Sequence, residues 1–190
     1  MLILDTTLYT KESYIKSLSK SARQEYRLVM DRNKDLTYKR TEYEREKVKR
    51  YMELWERQLV RGKPIQWAYP VEHLENWEII VFETEISMHF IKKEDGYWQC
   101  EPPMYDKNND RHLGTFMWFS LILWAIENKL GILNFGGGVD NWREMIKNRD
   151  QYPNPKYKWR FIPKWVKDNP DLQPNYILDG NNRKIYIDTP

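Results

Sequence analysis

The sequence predicts one mixed α+β domain over 1–190, in which helices flank a mainly antiparallel, twisted sheet and one helix is buried at its centre. Two amphipathic helical patterns come first, and three strand-like runs separated by short turns follow them. A long segment that is apolar on every side then leads directly into another strand. A chain of 190 residues suits one well-packed core better than two.

The first two predicted elements are helices over 11–32 and 41–61. In the earlier helix Thr10 provides a start, and apolar side chains recur at helical spacing at Tyr14, Ile15, Leu18, Ala22, Tyr26 and Val29. The later helix repeats this spacing at Val48, Tyr51, Trp55 and Leu59. A short stretch between them, 35–40, is a candidate strand.

The sheet and the central helix are predicted over 77–162. The runs "WEIIVFE", "EISMHFIKK" and "GYWQCEPPM" indicate an antiparallel meander. The central helix, "LGTFMWFSLILWAIENK", is apolar all round and must be covered all round. The strand "GILNF" follows so soon that it is expected to rejoin the same sheet as a βαβ unit. A polar helix over about 139–149 and a hairpin over 175–188 complete the prediction.

Composition predicts a cytoplasmic protein that binds neither a membrane nor a metal ion. The only long apolar run, 116–126, is shorter than the roughly 20 residues of a membrane span, and no secretion signal opens the sequence. Cys100 is the only cysteine, so no disulfide framework is possible. The three histidines, His73, His89 and His112, lack zinc-ligand spacing. The net charge of +3 is compatible with an anionic ligand without indicating nucleic acid.

Three glycines, Gly136, Gly137 and Gly138, directly follow the strand "LNF". No Lys-Ser or Lys-Thr pair completes a P-loop, and no doubly wound pattern supports dinucleotide binding. Glycines allow close backbone approach and positive φ, which exposes amides to an anion or a developing oxyanion. A tight turn that binds nothing is the open alternative.

A second candidate anion site lies at the start of the central helix, where Arg111, Gly114 and Thr115 supply a cation, a bare backbone and a hydroxyl. We expect the amides of 113–115 to lie beside the strand that ends at Phe135 and to form a pocket with it. The alternative is a plain loop-to-helix junction with a solvated arginine.

A basic stripe is predicted on one face of the first helix, where four cations step by four, three and four residues: Lys16, Lys20, Arg23 and Arg27. Only Glu25 lies within pairing distance of this row, so the stripe can attract phosphate. A solvated charged face, the commoner explanation of such rows, stays open.

The acidic candidates for a general base are Glu83, Glu101 and Asp106, which fall at predicted strand ends near the expected cleft. His89 alternates with apolar residues and is expected to be a core or edge residue of the sheet, and no Ser-His-acid set can be assembled. Aromatic residues in apolar segments are expected in the core: Trp118, Phe119, Trp124, Trp159 and Phe161.

Several separated runs, "YIKSLSKSARQEYRLVMDRN", "ELWERQLVRGK" and "HLGTFMWFSLILWAIENKLGILNFGGGVDNWR", resemble the FemAB-like branch of the GNAT acyltransferase superfamily over about 14–161. That branch has an "SLSxxxRxxxR" first helix, a glycine-led helix and a strand ending in "DFGGG…YK". The matching positions are Ser17, Leu18, Ser19, Arg23, Arg27, Gly114 and Gly136 to Gly138. The family's Asp is Asn134 here, and its Tyr-Lys pair is Trp142-Arg143.

The resemblance implies a single GNAT-like domain that transfers an acyl or aminoacyl group from acetyl-CoA, another acyl-CoA or a similar activated donor to an amine or hydroxyl. The donor's pantetheine arm would pair with a splayed strand that includes Trp98, Gln99 and Cys100. Its pyrophosphate would meet Arg111, Gly114 and Thr115, and the glycine turn would lie nearby. Phe116 departs from the superfamily's small residue at the end of that signature.

Catalysis in such a site needs a positioned carbonyl, amides aimed at its oxyanion and a base, for which the candidates are Glu101, Asp106 and Arg143. The acceptor would be a small molecule or a peptide. Some members of the branch use aminoacyl-tRNA, so tRNA or another nucleic acid is a possible partner. The alternatives are a non-catalytic protein that binds anions or nucleic acid, and a structural protein on the same scaffold.

Overall fold

The computed structural model describes residues 3–56, 59–60, 63–64, 74, 77–106, 109, 111–135, 176–178 and 184–186. Its helices are α1 Lys11–Ser17, α2 Lys20–Arg32, α3 Arg45–Glu56 and α4 Leu113–Glu127. Its strands are β1 Ile3–Asp5, β2 Lys39–Thr41, β3 Leu59–Val60, β4 Lys63–Pro64, β5 Ile79–Glu83, β6 Ser87–Glu94, β7 Tyr97–Cys100, β8 Met104–Tyr105, β9 Ile132–Asn134, β10 Tyr176–Leu178 and β11 Lys184–Tyr186. The predicted mixed α+β class is confirmed.

Seven strands form the main sheet in the described part of the chain, in the order β1-β9-β7-β6-β5-β2, with β8 also paired to β6. The pairs are antiparallel except β7 with β9, where Trp98 lies opposite Leu133 and Gln99 opposite Asn134. Because β7 and β9 are the parallel strands on either side of α4, they form the predicted βαβ unit. The pairs β3–β4 and β10–β11 are separate two-stranded sheets.

Successive residues of a strand point to opposite sides of the sheet. Both faces of the main sheet therefore carry apolar side chains, and helices cover both faces. Ile80 and Phe82 of β5 belong to a core with the helices α1, α2 and α4. Val81 between them belongs to a second core with Val48 and Met52 of α3. The central helix α4 has ten of its 15 residues buried, as its all-round apolar sequence predicts.

The prediction of a single helix over 11–32 is wrong, because the structure has two separate helices, α1 and α2, in this range. Leu18 has extended backbone angles, with φ −69° and ψ 155°, and its buried side chain fits the apolar pattern although its backbone breaks the helix. Ser19 then starts α2 as its N-cap, since its hydroxyl accepts a hydrogen bond from the Ala22 amide at 3.3 Å.

Other boundaries also differ from the sequence prediction. The helix predicted over 41–61 is α3, which is followed by the β3–β4 hairpin, and the strand predicted over 35–40 is β2. The predicted C-terminal hairpin is present as the β10–β11 pair. The strand β1, which the sequence did not predict, joins the sheet edge against β9. The polar helix predicted over 139–149 lies outside the described residues. No helix in the described ranges is both long and apolar enough to cross a membrane.

Arg23 closes the C-terminal end of α1 from its position on α2. Its guanidinium donates hydrogen bonds to the carbonyl oxygens of Lys16, at 3.1 Å, and Leu18. These carbonyls lie where a helix end leaves acceptors without intrahelical partners. Arg23 therefore stabilises the break between the two helices.

We expect Arg23→Met to lower the free energy of unfolding by about 1–2 kcal/mol, because it removes charge-assisted hydrogen bonds to two backbone carbonyls. Arg27→Met, at an exposed position one turn later on α2, is the matched control and should change stability by less than about 0.5 kcal/mol. Urea unfolding followed by circular dichroism measures both values. Equal losses in the two variants would contradict a capping role for Arg23.

Candidate functional site

The start of α4 is fixed against the end of α2. Asn33 is fully buried, and its side-chain amide donates to the carbonyls of Val29 and Arg111, each at 2.8 Å. His112, the N-cap residue of α4, has left-handed backbone angles, with φ 54° and ψ 41°, and its side chain makes no capping hydrogen bond. The first turn of α4 is thus anchored through backbone and asparagine contacts, while a histidine side chain does not cap it.

Arg111 is paired with acceptors of the protein itself. Its guanidinium binds the Asp35 carboxylate and donates to the Arg32 carbonyl at 3.1 Å. The hydrogen bond from Arg111 is the main reason why the pKa of the Asp35 carboxyl lies below its usual value. The predicted contact of Arg111 with a cofactor phosphate stays a prediction, and such a phosphate would compete with Asp35.

Tyr105 lies against Gly114 in the first turn of α4. A Cβ atom at Gly114 would stand 2.5 Å from the Tyr105 phenol oxygen and 2.9 Å from two ring carbons. The glycine therefore permits a close approach of a phenol to the helix start. Sequence reasoning singled out Gly114 but missed Tyr105, because no sequence motif signals a contact between a strand and a helix.

Pairing between β7 and β9 stops after two residues of each strand. The three residues 101–103 that follow β7 face only two residues, 89–90, on β6, so a β-bulge separates β7 from β8. Among the residues that the structure describes, pairing to β9 does not extend past Gln99 and Asn134. This is the place where the resemblance puts a donor arm, and Trp98 and Gln99 are half-buried there while Cys100 is buried.

Trp118 fills the space between α4 and the end of β9. Its ring packs edge-on against His89, with centroids 4.7 Å apart, and tilted against Phe135, with centroids 5.2 Å apart. Trp118 and Phe135 are both buried. The pocket expected between 113–115 and Phe135 is therefore occupied by an indole at its Phe135 end.

His89 is buried in the sheet, as the sequence predicts. Neither ring nitrogen has a hydrogen bond of ordinary geometry within the described part of the chain. Burial lowers the pKa of the imidazole to about 4, against a smaller opposing effect of the backbone of Glu101 and Met117. His89 is consequently neutral near pH 7 and serves the core.

The acidic candidates have different surroundings. Glu83 is nearly buried and binds Lys47 at 2.6 Å and Lys39 at 3.6 Å, so it belongs to a network of ion pairs. Glu101, at the bulge, is 8% exposed, and its carboxylate lies 4.0 Å from the buried ammonium of Lys92. Asp106 is exposed and lines a pocket.

Lys92 is 4% exposed although it carries an ammonium group. Its Nζ lies 3.3 Å from a Glu94 carboxylate oxygen and 4.4 Å from the centre of the Trp77 ring. With Glu101, these groups surround the charge by anions and an aromatic face, as a buried ammonium requires.

A pocket of about 540 Å³ lies between α3 and the start of α4. Its volume falls in the usual range of small-molecule sites. Its lining combines three charged groups with a phenol, an amide and two aliphatic side chains: Arg50, Tyr51, Glu53, Ile86, Asp106, Asn109 and Leu113. Of these residues, the sequence analysis named Asp106 as a candidate base and Leu113 as the start of the expected amide pocket, and it named no site residue on α3.

The basic stripe is divided between two helices. Of the basic stripe, Lys16 is on α1 and the others are on α2, and Lys16, Lys20 and Arg27 are exposed. Gly136, Gly137, Gly138 and Arg143 lie outside the described residues. Within the described ranges, no group of three His, Cys, Asp or Glu side chains is placed to hold a metal ion.

No protein-family model matches the sequence, and no curated protein matches it. Among solved structures, L-PGS from Bacillus licheniformis matches with a TM-score of 0.51 and 15% sequence identity, over 85% of this chain and 55% of that chain. The mixed α+β architecture with its mostly antiparallel sheet is consistent with a GNAT-like fold. At this identity the likeness shows the fold alone. L-PGS is an aminoacyltransferase, but a shared fold does not by itself assign a donor or an acceptor to this chain. This chain spans little more than half the length of L-PGS.

The buried imidazole makes stability depend on pH. The pKa of His89 is about 4 in the folded protein and 6.5 in an unfolded chain, so between these values only the unfolded chain takes up the proton. The stabilisation is present above pH 6.5 and is lost as the pH falls towards 4, with a total of about 3 kcal/mol. We expect the unfolding free energy of the wild type to fall more steeply with falling pH than that of His89→Gln. Chemical unfolding measured at several pH values across this range tests the difference.

His112→Asn is the control for this experiment, because it replaces an exposed histidine with a residue that tolerates left-handed backbone angles. Its pH slope should follow the wild type. If His89→Gln also follows the wild type, the histidine is not buried in its neutral form.

Gly114→Ala should lower the unfolding free energy by about 1–3 kcal/mol, because its methyl group would overlap the Tyr105 phenol. In a Tyr105→Val background, the same change should be neutral or should stabilise by up to about 1 kcal/mol, since alanine favours helices. A double-mutant cycle by chemical unfolding measures this coupling. Additive effects would show that the two residues do not touch.

Proposed function

We propose that the protein transfers an acyl or aminoacyl group from an activated donor to an amine or hydroxyl, with acyl-CoA as the first donor to test. The observation that carries this proposal is the short β7–β9 pairing beside α4 on a GNAT-like fold. Two parallel strands that stop pairing side by side can admit an extended ligand, whose amides then bind the backbone as an added strand would. Trp98, Gln99 and Cys100 of β7 would bind the pantetheine arm.

The reaction needs few catalytic side chains because the donor is already activated. The acceptor's nucleophile attacks the carbonyl carbon of the donor, the oxyanion is stabilised by backbone amides, and the thiol or alcohol departs when the carbonyl re-forms. First-turn amides of α4, at Gly114 and Thr115, are our candidates for the oxyanion or phosphate. Asp106 is our candidate base, because it is exposed on the pocket that also reaches Leu113.

An aminoacyl donor is the main variant of this proposal. The structural neighbour L-PGS is an aminoacyltransferase, which favours aminoacyl-tRNA as the second donor to test. The exposed cations Lys16, Lys20 and Arg27 would then contact tRNA phosphates. We place either reaction in the cytoplasm, where both donors occur and where a lone Cys100 is ordinary.

A second candidate function is a GNAT-like scaffold without transfer activity. Two contacts favour it: Trp118 packs on Phe135 where the donor arm would approach the core, and the Tyr105 phenol covers Gly114. In such a scaffold the aromatic contacts replace the ligand, and any remaining binding of anions or nucleic acid would use the exposed cations of the first two helices.

Calorimetric titration with acetyl-CoA and with a non-hydrolysable aminoacyl-tRNA should show saturable binding of one donor. With that donor, Asp106→Asn should leave donor affinity unchanged and slow transfer by about 100-fold or more, because the base is lost. Asp95→Asn, in the exposed β6–β7 turn, is the matched control and should retain full activity. If neither donor binds, the scaffold without transfer activity is the correct assignment.

A further inference from the structure

We propose that Trp118 limits the acyl group of the donor to a short chain such as acetyl, and that this residue selects among donors by their length. The inference rests on the proposed function, because only a donor that binds between β7 and β9 brings an acyl group to this tryptophan. The position of the indole, the polarity of the two faces of the sheet and the packing around the ring support this role.

The indole of Trp118 lies across the end of β7. In the sheet, β7 stands between β9 and β6. The Trp118 ring contacts Phe135, which directly follows β9, with centroids 5.2 Å apart, and His89 of β6, with centroids 4.7 Å apart. His89 is one of the two β6 residues that face the bulge after β7. The ring therefore lies on the α4 side of the gap between β7 and β9 in which the donor would bind.

The two faces of the sheet differ in polarity at this gap. On the α4 face, the side chains belong to an apolar core: Cys100, Trp118, Leu133 and Phe135. Side chains that alternate with core residues along the strands point to the opposite face, and the described ones nearest the gap are polar: Lys92, Gln99 and Asn134. Lys92 and Asn134 are only 4% and 2% exposed. A hydrocarbon chain among these buried polar groups would weaken their interactions, so the acyl chain is directed to the α4 face.

Trp118 leaves little room for a long chain on the α4 face. The residue is 4% exposed, and its ring is held between the His89 imidazole and the Phe135 ring. Protein interiors are close-packed, and additional methylene groups force neighbouring side chains out of their preferred rotamers. A long acyl chain has to push the indole aside, whereas an acetyl group does not. Trp118 thus sets an upper limit on chain length.

A series of donors of increasing length tests this limit. Calorimetric titration with acetyl-CoA, butyryl-CoA and octanoyl-CoA, without an acceptor, should show acetyl-CoA binding at least about tenfold more tightly than octanoyl-CoA. Coenzyme A without an acyl group is the reference, because its affinity does not depend on a contact between Trp118 and the chain.

Trp118→Leu should reverse the order of the series, because the smaller side chain leaves space for a longer acyl chain. Each methylene group that enters this space should tighten binding by about fourfold. The affinity for coenzyme A should stay unchanged. Trp118→Phe removes less volume and should shift the limit in the same direction by a smaller amount. This second variant carries the test if Trp118→Leu does not fold.

Trp124→Leu is the matched control, since it removes the same type of side chain from the same helix. The Trp124 ring packs edge-on against Phe82 of β5, with centroids 4.8 Å apart, and β5 lies two strands away from β7 in the sheet. The control should lose core packing and keep the preference for acetyl-CoA. Circular dichroism confirms folding of each variant. A reversal confined to Trp118 separates a contact with the acyl chain from a general loss of packing.

Failure of this inference differs from failure of the transferase proposal. If all three acyl-CoAs bind the wild type equally, or if Trp118→Leu and Trp124→Leu change their order alike, Trp118 does not limit the chain, while donor binding still stands. If aminoacyl-tRNA binds and no acyl-CoA does, the inference fails together with acyl-CoA as the donor, and transfer from an aminoacyl donor stands. If neither donor binds, both proposals are wrong.

Discussion

Burial of the apolar helix α4, in which ten of 15 residues are buried, is the constraint on which the rest of the structure depends. A helix that is apolar on every side is stable in water only when other elements cover it all round. Here the sheet covers one side and α1 and α2 cover another, with Phe119 packed edge-on against Tyr26. The polar contacts of Asn33 and Arg111 then fix the position at which the helix starts.

This constraint also separates two possible ligand regions along α4. Leu113, in the first turn, faces the pocket beside α3. Trp118, further along the helix, packs against Phe135 at the end of β9 and against His89. An acceptor and a donor arm would therefore approach different parts of the helix. The aromatic contacts between them exclude water from the core, whether or not a reaction takes place there.

The sequence predicted the parts of the fold that depend on local pattern. The buried α4 and the parallel return to β9 follow from an apolar segment and a short connection. The break between α1 and α2 was missed because Leu18 continues the apolar spacing although its backbone is extended. Tyr105 on Gly114 and the pocket lining escaped prediction because these contacts join residues whose neighbours in the sequence give no signal.

Glu101 and Asp106 have different surroundings, which suit the two carboxylates to different roles. Lys92 is almost fully buried, and an ammonium in that position is stable only beside carboxylates. Glu101 is one of these, and a proton on Glu101 would weaken the charge balance around Lys92. A general base has to accept a proton in each turnover. Glu101 therefore suits charge balance at the bulge, whereas Asp106, our candidate base, is exposed on the pocket.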